Sequence, residues 1–406
     1  MTDTSPIDAE GTPLQRTAAV FRAFLLLGLT SFGGPVAHLG YFREAFVVRR
    51  RWLSEGDYGD LVALCQFLPG PASSQVGIAI GWQRAGLTGA LAAWVAFTAP
   101  SVILLYAFAL GAGFWHGPLA EGVLHGLKLA ALAVVAQAVW QMAQRLTPDW
   151  PRRVVALVAS AIVLLVPWAP ISVLVIAMAG IIGAAFPVRG AVASPPPAGR
   201  PHPAALITLA AFFILLVLLP LLAATTHDPA LDIATRFYRT GALVFGGGHV
   251  VLPLLQNELV TPGLIDRDLF LAGYGAAQAV PGPLFSFAFY AGDQLRGWPN
   301  GIAGGLLALV AIYLPSFLLV LGALPYWTRL KTVPQLRAAL DIANAAVVGL
   351  LLAALCTPVF TSAVFSPLDL AIAIIALAAL GVRVPPWLVV FGCAALGAAL
   401  SLTPLT

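Results

Sequence analysis

Residues 66–71 read Gln66-Phe67-Leu68-Pro69-Gly70-Pro71, and residues 278–283 read Gln278-Ala279-Val280-Pro281-Gly282-Pro283. Working outward from each copy, the likeness continues. Upstream lie two glycine breaks, Phe32-Gly33-Gly34 followed by Pro35, and Phe245-Gly246-Gly247 followed by Gly248. Downstream, Arg84 matches Arg296 and Pro100-Ser101 matches Pro315-Ser316. The spacing drifts only slightly, from 32→245 through 66→278 to 100→315, with a small insertion near Trp298-Pro299-Asn300. Ordered matches at a nearly constant shift mark a duplication.

The medium in which these copies fold follows from composition. The chain has 406 residues, 60% hydrophobic and only 9% charged, whereas a soluble domain carries about a quarter charged residues. Apolar runs long enough to cross a hydrocarbon core of about 30 Å recur along the chain. In lipid every backbone polar group must be bonded internally, so such runs fold as helices. The basic residues are scattered, and the one tight cluster, Arg49 to Arg51, reads as a topology anchor rather than a nucleic-acid patch. Cys65, Cys356 and Cys393 each lie in an apolar run without metal-ligand spacing, which predicts buried thiols and no metal or cofactor. No HExxH, nucleophile-elbow or Walker sequence is present, so an enzyme reading finds no motif to rest on.

The organisation predicted is a polar cytoplasmic tail over 1–16, a first repeat over 17–187, a Pro-rich linker with one extra span over 188–231, and a second repeat over 232–406. The two short segments flanking each Pro-Gly-Pro, 57–68 with 72–84 and 267–280 with 284–296, are too short to cross alone and predict re-entrant hairpins, with tilted, incomplete crossings as the alternative. Most of the 21 Lys and Arg residues then fall on the cytoplasmic side, as the positive-inside rule requires, provided that the second repeat is inverted by the extra span at 204–225. The fold class predicted is an all-α integral membrane protein: two inverted-topology homologous halves, six plus one plus six spans, with broken helices at the Pro-Gly-Pro motifs.

Helix interruptions in inverted repeats are where transporters bind substrate. Restarting helices carry unpaired N–H groups and the positive end of the helix dipole, which suits an anion. The candidate binding residues are therefore Gly33, Gly34, Gly70, Gly246, Gly247, Gly248 and Gly282 at the breaks, with Gln66, Gln278, Ser73, Ser74 and Ser286 as neutral donors beside them. Lys128, Arg236 and Arg239 are candidate counter-charges, since charge within a span is costly. His38, Glu44, His249 and Glu258 are candidate proton carriers. The bland readings are close packing for the glycines, helix-to-helix hydrogen bonds for the polar groups, and snorkelling for Lys128.

The two glycine breaks, Pro253, and the paired Pro-Gly-Pro motifs resemble the signature of the chromate transporter family, and the resemblance covers about residues 17–403. It implies a long-chain member with two oppositely oriented halves that exports chromate across the bacterial inner membrane by a proton-driven antiport, giving chromate resistance. The partners implied are a chromate or sulfate-like oxyanion, protons and membrane lipid, with a homodimer and a sulfate-carrier alternative left open. His249 stands where the family pattern more often has an aromatic residue.

Overall fold

The computed structural model describes residues 11–112, 117–166, 168, 171–186, 203–245, 247–330 and 332–402. Gly246 and the Pro-rich stretch 187–202 lie outside them. The described residues form helices without strands. The first repeat runs α1 (Pro13–Thr30), α2 (Gly34–Arg43) with a π turn Glu44–Arg49, α3 (Glu55–Phe67), α4 (Ala72–Ala112), α5 (Pro118–Leu146), α6 (Trp150–Leu165) and α7 (Ile171–Ala185). The extra helix α8 (Pro203–Thr226) follows. The second repeat runs α9 (Pro229–Leu243), a 3-10 turn Gly248–Val250, α10 (Val251–Leu255), a π turn Gln256–Val260, α11 (Arg267–Ala279), a 3-10 turn Leu284–Ser286 and α12 (Phe287–Asp293). It ends with α13 (Gly301–Ala323), α14 (Trp327–Leu330), α15 (Pro334–Ala354), α16 (Thr361–Ala363), α17 (Pro367–Gly381) and α18 (Pro386–Leu402).

Matching positions in the two copies carry matching local chemistry. Ser54 caps α3 and its counterpart Asp266 caps α11, while Asp149 caps α6 and Ser366 caps α17. Helix α4 is not one span: Ala85 and Gly86 leave helical geometry. The backbones on its two sides meet at Gly81 and Gly89, which a straight helix would hold about 12 Å apart. The segments 72–84 and 87–112 therefore fold back on each other. Gly292 and Gly304 meet in the same way between α12 and α13. Among the described residues five helices are long and apolar enough to cross a membrane, one of them this broken segment, and the helices that close each repeat are shorter.

Two kinds of packing hold the copies together. Within each repeat, Gly28 of α1 lies against the backbone at Phe97 of α4, and Gly241 of α9 lies against Ile312 of α13. Between repeats the closing helices are exchanged: α18 and α17 pack on α5, while α7 and α6 pack on α15. Gly122 of α5 meets Gly397 of α18, and the counterpart contact joins Ala338 of α15 to Gly183 of α7. Such small residues let helix backbones approach in lipid.

The arrangement is nonetheless asymmetric. α11 lies along α5 and α18, with Phe270 to Ala277 all buried. Its counterpart α3 packs mainly on α4, and Gly56, Gly59, Asp60, Ala63 and Gln66 form an exposed face. Most buried apolar residues of α1 to α4, with Val320 of α13, form a cluster separate from the main core, which takes in Leu105 and Ala109 of α4. The thiol expectation is corrected at one position: Cys65 and Cys393 are buried, but Cys356 is exposed on its helix.

Candidate functional site

The duplicated motifs meet. Gly70 N–H donates to the carbonyl of Val244 at the end of α9 (2.6 Å), and Gly282 N–H donates to the carbonyl of Ser31 at the end of α1 (2.9 Å). Ser31 and Val244 are counterparts, as are Gly70 and Gly282, so the bonds are one contact made twice about a pseudo-twofold axis. Each hairpin tip also rests on the Pro-Ser motif of the other repeat. A Cβ at Gly70 would lie 2.6 Å from Ser316 Oγ, and one at Gly282 would lie 2.9 Å from Ser101 Oγ. Both tips have positive φ, +128° and +97°, and the close approach together with that backbone leaves room only for glycine. On the axis, Pro35 and Gly248, also counterparts, touch.

These bonds use the N–H groups of the two tip glycines across the interface. Several side chains beside them are not fully paired. Around the Gly282 tip stand Ser31, His38, Ser73 and Thr98, each almost wholly buried. His38 Nδ1 lies 3.4 Å from Ser73 Oγ, its ring meets Phe97 edge-on, and the Ser31 carbonyl is beside it. Ser31 Oγ and His38 Nε2 have no hydrogen-bond partner, and Thr98 Oγ1, facing the Tyr313 hydroxyl, has none of good geometry. Around the Gly70 tip the counterparts of Ser31, His38, Ser73 and Phe97 are Val244, Val251, Phe285 and Ile312, all apolar. There Gln75 Nε2 donates to the Pro69 carbonyl at 2.6 Å. Between the junctions Ser74 Oγ lies 3.5 Å from Tyr313 Oη, and next to Gly282 the Ser286 hydroxyl donates to the Pro283 carbonyl. The paired junctions are thus alike in backbone and unlike in chemistry: at one, Ser31 Oγ and His38 Nε2 lack partners, and at the other the unpartnered atom is the amide oxygen Gln75 Oε1.

The helix ends themselves are plain. α2 starts at Gly34 after Gly33 with no side-chain cap, and the turn after Gly247 likewise has none. Gln66 is exposed and accepts from Arg145 at 2.9 Å, whereas Gln278 is partly buried. His249 Nδ1 lies 2.9 Å from Tyr274 Oη.

The expected counter-charges stand elsewhere and are occupied. Lys128 pairs with Asp268 at the start of α11 (3.2 Å) and lies over the Phe365 ring. Arg239 makes two bonds to the buried Glu258 (2.9 and 2.6 Å), while Arg236 bonds Asp232 and the Glu258 carbonyl. The structure therefore joins two expected counter-charges to one expected proton carrier in a single ion cluster. Glu44 is exposed and pairs with Arg49. Outside the membrane-spanning segments, the Arg43 guanidinium beside Glu55 holds that carboxyl below its usual range. No group of His, Cys, Asp and Glu able to hold a metal occurs among the described residues.

Fold and site together define a multi-pass membrane protein of the duplicated transporter class, with its polar centre where the repeats cross. The chain belongs to the chromate transporter family, whose model matches residues 18–184 and 231–398, one match per repeat. It is 27% identical over 312 residues to a probable chromate transport protein of Synechococcus elongatus, covering 75% of each chain. It is 28% identical to a chromate transport protein of Pseudomonas aeruginosa, covering 82% of this chain and 78% of that one. An uncharacterized transporter of Methanocaldococcus jannaschii is 25% identical over 82% of each chain. No solved structure matches.

Proposed function

We propose that this protein is a secondary transporter of chromate, with the tetrahedral dianion seated between the Gly282 tip and the Ser31, His38 and Ser73 side chains. One observation carries the reading: the unpartnered buried atoms at the Gly282 junction, Ser31 Oγ and His38 Nε2, can donate, whereas the one at the Gly70 junction, Gln75 Oε1, can only accept. Such atoms are rare in native proteins, and leaving each unmet costs about 1–3 kcal/mol. An oxyanion accepting from both removes that cost. With Nδ1 accepting from the Ser73 hydroxyl, His38 presents Nε2–H to the anion. Protonation of His38 would add the positive charge that the pocket otherwise lacks, linking anion and proton occupancy.

The packing asymmetry supports alternating access. One repeat's hairpin is sealed against the exchanged helices, and the other's stands away from them, as one of two mirrored states would look. The repeats are taken as 17–187 and 232–406, with the N-terminus in the cytoplasm of a bacterial cell and the chain in its inner membrane. Inward protons then drive chromate outward and confer resistance. A sulfate carrier is the second reading, because sulfate is also a tetrahedral dianion and the pocket offers donors that do not distinguish the two.

The test is chromate flux in vesicles of defined orientation with an imposed pH gradient. Gradient-dependent flux, competed weakly by sulfate, is expected. Flux that ignores the gradient refutes the coupling, and preferential sulfate flux refutes the substrate.

A further inference from the structure

Outside the central junction, His125 Nε2 lies 2.7 Å from Asp369 Oδ1. The pair joins α5 of the first repeat to α17 of the second across the exchanged packing. The His125 side chain is 28% exposed and that of Asp369 10%, so the imidazole reaches the protein surface while the contact is largely shielded. The counterpart of His125 in α15 is Asp341, and the counterpart of Asp369 in α6, aligned on the caps Ser366 and Asp149, is Arg152. Those two also form an ion pair, Arg152 Nη2 to Asp341 Oδ2 at 3.2 Å. Both copies thus place an ion pair between the same two helices, with its polarity reversed. In one copy the cation is arginine, which stays charged at every working pH. In the other it is histidine, whose charge changes between about pH 5 and 8.

We propose that His125 and Asp369 form a proton-binding site that locks α5 to α17. The proton enters from water on that face and is held at the imidazole, whose Nε2–H donates to Asp369 Oδ1. The imidazolium–carboxylate pair grips, and the neutral imidazole holds by an ordinary hydrogen bond. In the orientation proposed above this site faces outward, and the permanent Arg152–Asp341 lock faces the cytoplasm.

The local wiring gives the proton somewhere to act. Asp369 Oδ2 also accepts from the backbone N–H of Phe365 and Ser366, so it fixes the start of α17. The Phe365 ring stacks on His125, with centroids 5.8 Å apart, and lies beneath Lys128 Nζ at 5.7 Å. Lys128 in turn holds Asp268 of α11, the hairpin whose far end is the Gly282 tip. The charged groups around the site are Glu121 and Lys128 on α5, Asp369 on α17, and Arg267 and Asp268 on α11; α18, packed on the other side of α5, has none. Histidine is therefore the only side chain in this set that changes charge near neutral pH.

The test is hydrogen exchange of segments 364–372 and 267–279 in the full-length protein in nanodiscs at pH 5.5 and 7.5, corrected for intrinsic rates. A charged hydrogen bond replaced by a neutral one predicts about tenfold less protection at pH 7.5. His125→Arg should keep high protection at both values, and His125→Gln low protection at both. Arg152→His should create a new pH dependence at 149–156, around the other lock. Wild-type protection that is equal at the two pH values, or a pH dependence surviving in both His125 variants, overturns the proposal. Exchange does not require transport: if these shifts appear while vesicle flux ignores pH, the proton site stands and proton-driven transport falls.

Discussion

Gly282→Ala perturbs the point where one repeat's tip meets the other's donors. The added Cβ would lie 2.9 Å from Ser101 Oγ and 3.1 Å from the Phe97 carbonyl. One of these is backbone, so the tip must retreat. Holding a non-glycine residue near φ +97° costs about 1–3 kcal/mol. Retreat weakens the Gly282–Ser31 bond, worth about 1 kcal/mol more. Together these give about 2–4 kcal/mol, or about 30- to 700-fold in occupancy of the assembled site. Gly263→Ala is the control, since its φ is +77° but nothing lies within 4 Å of an added Cβ. It carries a comparable conformational cost without the collision. Chromate affinity and vesicle flux, with melting temperature recorded for both variants, are the assays. The expected outcome is a large loss of affinity in Gly282→Ala and near wild-type affinity in Gly263→Ala. Affinity within about threefold of wild type for Gly282→Ala, or equal damage from both, would refute a site built at that tip.

Further outcomes follow from the same geometry. Ser31→Ala and His38→Ala should each weaken chromate binding by about tenfold or more, while Val244→Ala, on the apolar junction, should leave affinity nearly unchanged in the same titration. Glu258→Gln leaves Arg239 and Arg236 without their buried carboxylate, so it should destabilise by about 3 kcal/mol or more and lower the melting temperature, with little change in chromate affinity of the folded fraction. For alternating access, Leu127→Cys with Gly275→Cys should cross-link in the present state, at a cost in melting temperature, because the Cβ added at Gly275 would lie 3.5 Å from that of Leu127 but 2.5 Å from its carbonyl oxygen. The counterpart pair Ala343→Cys with Ala63→Cys should cross-link only in the mirrored state, so chromate or a pH gradient should change the two yields in opposite senses. Yields that rise and fall together contradict the mirrored exchange.

Much of the fold was legible because its signals are repeated. Pro-Gly-Pro, the glycine breaks and the Pro-Ser pair each occur twice in order, and the structure gathers them at one crossing. The end of the segment 72–84 was legible from its length, and the chain breaks there at Ala85 and Gly86; that 72–84 folds back on 87–112 was not. The exchange of closing helices was not, because nothing in the apolar runs of α6, α7, α17 and α18 says which neighbour covers them. Within the site, His38 and Ser73 stood out in the sequence, but Ser31 and Thr98 did not, being ordinary hydroxyls in apolar segments, and Ser101 stood out only as part of the duplicated Pro-Ser pair. The signal for Ser31 lay in the difference between copies: serine and histidine at 31 and 38 face valine at 244 and 251. Lys128, Arg236 and Arg239 drew attention as charges among apolar residues. A buried charge takes a partner, however, and Asp268 and Glu258 become partners only through packing.

The central claim is that the dianion sits at the Gly282 junction. Anomalous scattering from chromium in chromate-soaked crystals locates it directly. A peak within hydrogen-bonding distance of Ser31 Oγ and His38 Nε2, lost in Ser31→Ala/His38→Ala, is the result expected. A peak instead beside Arg236 and Arg239, or at Lys128, would contradict it.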